Sequence, residues 1–163
     1  LTVGPITVGT LRYAGQTAIE TDEYGSAYQV NQAFGAPVRT ASGGERVALD
    51  ERWAPVYRPD RPTTIVGWEQ PATMLGVKID RLAYERFHAS FAGVGVGDAV
   101  PFGLRLDTST DAGREWTRAV RRLVRWADGG RVIAPGVREL LVEGCMAALA
   151  CAAEHPRAAA LRL

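Results

Sequence analysis

From residue 1 to 79 the chain is broken by turn formers at intervals of roughly 8–12 residues, a rhythm that admits short strands and excludes long helices. "FGAP", "ASGG" and "RPDRP" supply the breaks, with Gly and Pro meeting turn geometry that a central strand rejects. The spacing predicts strands over 6–14, 16–22, 27–34, 45–49, 53–58, 63–68 and 73–79. Short strands so distributed describe a sandwich or a barrel.

The period then changes. Tyr84, Phe87, His88 and Phe91 recur at helical spacing and predict an amphipathic helix over 81–92. "VGVGDAVP" ends it, and "FGLRLD" (102–107) alternates Phe102, Leu104 and Leu106 as one more strand. A long helix is expected from about residue 111, capped by Thr110 or Asp111, with Trp116, Val120, Leu123 and Trp126 as its buried side. "ADGGRVIAPG" separates it from a last helix over 135–154, which Pro156 ends. The fold class expected is α+β, a β-barrel over 1–107 followed by helices over 108–163.

Charge excludes some functions. The net charge is +1, so no overall field draws the chain to nucleic acid or anionic lipid. Lys78 is the sole lysine among 19 basic residues. Arg114, Arg118, Arg121 and Arg125 share one face of the long helix, read as solvated, with contact to an acidic partner as the alternative. The chain starts at Leu1, which suggests a fragment, and no signal-peptide pattern is visible. The uncharged run Gly144–Ala153 falls well short of the roughly 20 residues that a membrane span needs. Cys145 and Cys151 point in different directions around their helix, so a bridge between them is not expected, and the setting is read as reducing and cytoplasmic.

Catalytic chemistry has little support. A metal site in a barrel needs several His and a carboxylate converging from adjacent strands, and the two His, His88 and His155, lie outside the expected strands. No Ser-His-Asp set, phosphate-binding loop or CxxC occurs, and "GVGVGD" follows a helix rather than a strand. No cofactor is expected. The rivals to a binding function are an enzyme acting on a small molecule and a pure oligomerisation module.

The segment "YQVNQAFG" (28–35) poses a sharper problem. Alternation puts Tyr28, Val30, Gln32 and Phe34 on one face and Gln29, Asn31 and Ala33 on the other. Gln32 thus sits on the apolar face, where an unpaired amide costs about 1–3 kcal/mol. Either the backbone satisfies it or the face lines a cavity that receives something polar. Gln32 and Tyr28 are the leading candidates for ligand contact, with Tyr13, Tyr57, Arg58 and Trp68 from neighbouring strands as weaker ones.

The last helix, "LLVEGCMAALACAA", is apolar nearly all round and needs cover on more than one side. The barrel can cover one side, and a second copy of the chain the other. Leu141, Gly144, Cys145, Ala147, Ala148 and Ala152 form the expected seam of a homodimer.

"YQVNQAFG", "APVYRPDRPTTIVGW", "LGVKIDRLAYERF" and "PFGLRLDTSTDAGREW", in this order and spacing, resemble the AraC-binding-like sensor domains of AraC/XylS-type transcriptional regulators. The tail "RELLVEGCMAALACAAEHPRAAAL" is similar to the segment that precedes the DNA-binding domain in that family. The resemblance implies a cupin-like barrel without metal, a small-molecule effector in the barrel, and helices that pair two subunits. It also implies DNA contact only through a helix-turn-helix domain that this chain does not contain. Gln32 departs from the aliphatic residue usual in the family.

Overall fold

The computed structural model describes residues 1–13, 17–66, 71–93, 99–128 and 134–161. Nine strands come first: β1 (Thr2–Val3), β2 (Ile6–Tyr13), β3 (Ala18–Thr21), β4 (Ala27–Gly35), β5 (Val38–Ser42), β6 (Glu45–Leu49), β7 (Val56–Tyr57), β8 (Thr63–Val66) and β9 (Ala72–Asp80). Helices α1 (Arg81–Ala92), α2 (Asp111–Asp128), α3 (Pro135–Ala152) and α4 (Ala158–Leu161) follow. The strands form two antiparallel sheets, ordered β1-β2-β9-β4-β7 and β3-β8-β5-β6. Two sheets with helices laid outside one of them make the α+β arrangement that the strand-then-helix pattern predicts.

Register explains where the helices go. Ile6, Ile79 and Tyr28 lie side by side across β2, β9 and β4, and Val8, Val77 and Val30 form the next row. All six are buried, and with Tyr84, Phe102, Trp116, Leu123, Cys145 and Leu149 they make one core between this sheet and the helical layer. The opposite face of the sheet looks toward the second sheet, where Ala33, Val38, Leu49, Tyr57, Ile65, Ala72, Met74 and Leu104 form a second core.

The helix ends follow local chemistry. Asp80 caps α1 by accepting from the Ala83 N–H at 2.8 Å, and Gly93 closes it in the left-handed region at φ 64°. Thr110 Oγ1 accepts from Gly113 N–H at 3.0 Å at the start of α2. There the helix is pressed so hard on the preceding chain that a Cβ on Gly113 would lie 2.0 Å from the Asp107 carbonyl oxygen. Asp107 anchors that segment, accepting from Arg52 Nη2 at 2.9 Å and from Ser109 N–H at 2.8 Å.

Several expectations need correction. β5 was not expected, because its inward positions are Val38, Thr40 and Ser42 and give little apolar contrast. Residues 102–107 do not form a strand; Phe102, Leu104 and Leu106 are buried, and Ala54 and Val56 N–H groups donate to the Leu106 and Leu104 carbonyls. Only Val56–Tyr57 of 53–58 joins a sheet. Trp126 lies off the buried stripe of α2 and is 43% exposed.

Two predictions follow from this packing. Gly113→Ala forces backbone apart, so it should cost about 3 kcal/mol of stability or more in urea unfolding, whereas Gly9→Ala, which meets open space, should leave the midpoint nearly unchanged. The second concerns acid. Hydrogen bonds from Arg52, then from Ser109, hold the Asp107 carboxyl at about 2, below its ordinary 3.8. The folded pKa is depressed, so this contribution is complete above the ordinary value and fades as pH falls toward 2. Asp107→Asn should therefore flatten the dependence of the melting temperature on pH across that window.

Candidate functional site

The inner face of the first sheet is built in rows. Thr7, Lys78 and Gln29 form one row, Gly9, Gly76 and Asn31 the next, and Leu11, Met74 and Ala33 the third. Exposure falls along each row from β2 to β4. Thr7, Gly9 and Leu11 are exposed, Leu11 to 42%, while Asn31 and Ala33 are buried. The two sheets therefore close over β4 and gape over β2, leaving a recess along the inner side of β2 and β9.

Glycine floors this recess. Gly9 and Gly76 are direct partners across the β2–β9 ladder. A Cβ on Gly9 would meet nothing within 4 Å, so open space lies above it. A Cβ on Gly76 would come within 3.2 Å of Asn31 Oδ1 and 3.9 Å of Gln29 Nε2. Paired glycines inside strands weaken the ladder; Gly9 leaves bare backbone that another molecule can approach closely, whereas the space over Gly76 is taken by the Asn31 amide.

Amides and hydroxyls wall the recess on its deep side. Gln29 Nε2 donates to Asn31 Oδ1 at 2.9 Å. Asn31 is fully buried, and its Nδ2 has no hydrogen-bond partner. A buried donor left so costs about 1–3 kcal/mol. Tyr57, which pairs with Gln29 across the β4–β7 ladder, donates to Thr40 Oγ1 at 3.0 Å, and Thr40 donates to the Thr64 carbonyl at 2.9 Å. Burial pushes the Tyr57 hydroxyl above the ordinary phenol range, against the pull of Thr40 and the nearby Asn31 amide. The Tyr24 ring packs at 6.3 Å from that of Tyr57.

These are not the donors of a transition-metal centre. A cupin metal centre is held by imidazole and carboxylate, whereas the inner face here offers amides, hydroxyls and one ammonium. Among the described residues no group of three or more His, Cys, Asp and Glu could hold a metal ion.

The residues singled out from sequence fall in different places. Tyr57 lines the interior between the sheets. Tyr28 and Gln32 lie on the opposite face of β4 from the recess. Tyr28 is buried against the helices, where its hydroxyl donates to Glu85 at 3.1 Å and accepts from the Val100 N–H at 2.7 Å. Gln32 Nε2 donates to the Glu51 carbonyl at 2.9 Å, so its amide is satisfied by backbone. The apolar face of β4 is the helix-covered one, and the recess belongs to the face carrying Gln29 and Asn31. Arg58 pairs with Asp60 at 2.6 Å and, with Ser42, Glu45 and Arg61, borders a separate cavity of about 120 Å³. Tyr13 pairs with Ala72 at the end of β2, but its side chain lies outside the described residues, as does all of Trp68.

On α3, Cys145 and Ala152 are turned into the chain's own core, Leu141 and Ala148 are half-buried, and Gly144 is exposed. Val137 at 36% and Leu140 at 71% exposure are the larger apolar side chains left uncovered there. His88 is buried between Tyr84 and His155, and burial, then the charges of His155 and Arg157, lower its pKa. On α2, Arg114 pairs with Asp111 and Arg118 with Glu115, while Arg118, Arg121, Arg122 and Arg125 rim a groove of about 580 Å³.

Sequence reasoning missed Gln29, Asn31, Gly9 and Gly76. The available signal was two glycines inside otherwise regular strands, which register alone converts into a shared floor.

Comparison with known proteins places this geometry. Residues 1–150 match the AraC-binding-like domain family. A probable thc operon regulatory protein of Rhodococcus erythropolis is 36% identical over 156 residues, an alignment covering 93% of this chain and 47% of the relative. The chain thus spans about half the length of that curated relative. ToxT from Vibrio cholerae O395 superposes with a TM-score of 0.54 over 86% of this chain and 52% of ToxT, at 8% identity. ToxT bound to (E)-4-(8-methylnaphthalen-1-yl)but-3-enoic acid gives a TM-score of 0.55 over 86% and 54% of the two chains, at 7% identity. Those two likenesses are of fold. The family match, the regulatory relative and the recess between facing sheets agree that the chain belongs to the AraC-binding-like domain family.

Proposed function

We propose that this chain is the effector-sensing and dimerising half of an AraC-type transcriptional regulator. Residues 1–107 would form the sensing unit and 108–163 the pairing and linking unit, with DNA contacted through a helix-turn-helix domain outside this sequence, in the cytoplasm. The observation that carries the reading is the fully buried Asn31 amide, its Nδ2 unpartnered, behind a floor of two glycines. A site that keeps such a donor idle loses stability, and an acceptor that turns the Gln29–Asn31 amide pair to reach it recovers that loss. That the ToxT fold is known with an organic acid bound supports a small molecule as the occupant.

The route from recess to helices is short. Asn31 and Tyr28 lie on opposite faces of β4, and Tyr28 is hydrogen-bonded to Glu85 of α1 and to Val100. Glu85 in turn accepts from Arg81 Nε at 2.9 Å. A molecule that shifts β4 thereby shifts α1 and the segment that leads to α2. It biases the regulator only by its differential affinity for the two arrangements. Pairing of two subunits would use the outer side of α3, where Val137, Leu140 and Gly144 are exposed beside Leu141 and Ala148.

Two outcomes are expected. In a full-length regulator carrying this domain, Gly9→Val should abolish the response of a promoter reporter to its inducer while leaving operator occupancy intact. A retained response would remove the recess from consideration. Leu140→Asp should halve the particle mass seen by light scattering, and an unchanged mass would rule out α3 as the seam.

A further inference from the structure

Independently of what the recess binds, we propose that His88 and His155 form an acid-sensitive latch, which holds the chain after α3 against α1 while both rings are neutral. The geometry of the pair carries this. His88 projects from α1 with its ring stacked on Tyr84 at 6.2 Å and set edge-on to His155 at 5.5 Å. All but 7% of it is buried, and its Nε2 has no hydrogen-bond partner. In an imidazolium both ring nitrogens are donors, so a proton on His88 would leave a charged donor facing no acceptor in the core. His155 resists a proton for a different reason. Its Nε2 lies 2.7 Å from the Ala150 carbonyl, which can only accept, and the Arg157 N–H, which can only donate, lies 3.4 Å from its Nδ1. These two partners select the neutral tautomer with its proton on Nε2. A proton on Nδ1 would meet the Arg157 N–H donor to donor and open the turn that the Ala158 N–H closes on the His155 carbonyl at 3.0 Å.

The pair sits at a joint. The Phe102 ring stands edge-on to His155 at 5.4 Å and also meets Tyr28 of β4 at 5.8 Å. The Gly103 N–H donates to the Glu154 carbonyl at 2.8 Å, and Cys151 Sγ donates to the Leu161 carbonyl of α4 at 3.3 Å. Among the described residues, the surrounding charges do not relieve a protonated His88. From α1 comes Glu85, already engaged by Arg81 and the Tyr28 hydroxyl. From α3 come the thiols of Cys145 and Cys151, which lie beside Tyr84, and burial pushes that of Cys145 up to about 12. Residues 100–104 carry no charge. The chain after α3 brings Glu154, whose carboxylate lies over Gly103, and Arg157, a further cation. Burial, then the fields of His155 and Arg157, hold His88 below the ordinary 6.5. The latch is therefore fully favoured above that value and loses ground as pH falls through it.

The test is amide hydrogen exchange of the 163-residue chain by NMR, corrected for the intrinsic effect of pH, with imidazole titration on the same sample. His88 should titrate below 6.5. The Gly103 and Ala158 amides should open ahead of the Val77 amide in the central strand β9, and about fivefold more often at about pH 5.5 than at about pH 7.5. His88→Phe keeps the ring and removes its proton site, and His155→Gln keeps a donor and an acceptor without titrating. Each should at least halve the acceleration, and the double variant should abolish it. A His88 that titrates at or above 6.5, Gly103 and Ala158 amides that open no faster than Val77 in acid, or an acceleration that survives in the double variant would overturn the latch. The first two readings use the unaltered chain, so they decide the matter if a variant does not fold.

Discussion

Strand β4 runs between two environments, and the remainder of the molecule is arranged around that fact. Its residues Tyr28 and Val30 are sealed beneath the helices, while Asn31 and Ala33, on the other side, are sealed between the sheets. A strand buried on both faces has no slack, because a slip of one residue would exchange an apolar set for an amide-bearing one. The ladders to β9 and β7 hold it in register along its length. Both the recess and the helical layer inherit their position from it.

The two cores differ in chemistry. The helix-side core is apolar apart from a few polar atoms, some anchored, such as the Tyr28 hydroxyl that bridges Glu85 and Val100, and some without a hydrogen-bond partner, the Tyr84 hydroxyl and His88 Nε2. The core between the sheets is stitched by hydroxyls: Tyr57 to Thr40, Thr40 to Thr64, and Ser42 to Pro62. These bonds link strands within the second sheet and, through Tyr57, tie it to β7 of the first sheet, beside β4. Among the described residues no such bond joins the two sheets at Thr7, Gly9 or Leu11, which are exposed; the Thr7 hydroxyl meets that of Thr2 within the first sheet.

Much of this was legible in the residues, and the illegible part has a physical cause. The helical period marked α1 to its end, and its Asp80 and Gly93 caps are ordinary signals. Alternation in "YQVNQAFG" separated the two faces of β4 correctly, but hydrophobicity could not say which face met helices and which met a recess, since both are buried. Equating the apolar face with the interior therefore selected Tyr28 and Gln32 rather than Asn31 and Gln29. β5 escaped because hydroxyl residues occupy its inward positions, and their cross-strand bonds exist only once the sheet has formed. The pairing of Gly9 with Gly76 is likewise a property of register, invisible to either segment alone.

The tight seat of Gly113 against the Asp107 carbonyl has a mechanical corollary. A rod pinned there cannot slide along its own axis. Helix α2 has 18 residues and is about 27 Å long, and Leu123, Val124 and Ala127 pack its far half into the helical layer. The position fixed at the pin is therefore carried along the whole rod and sets where Arg121, Arg122 and Arg125 stand on its outer side.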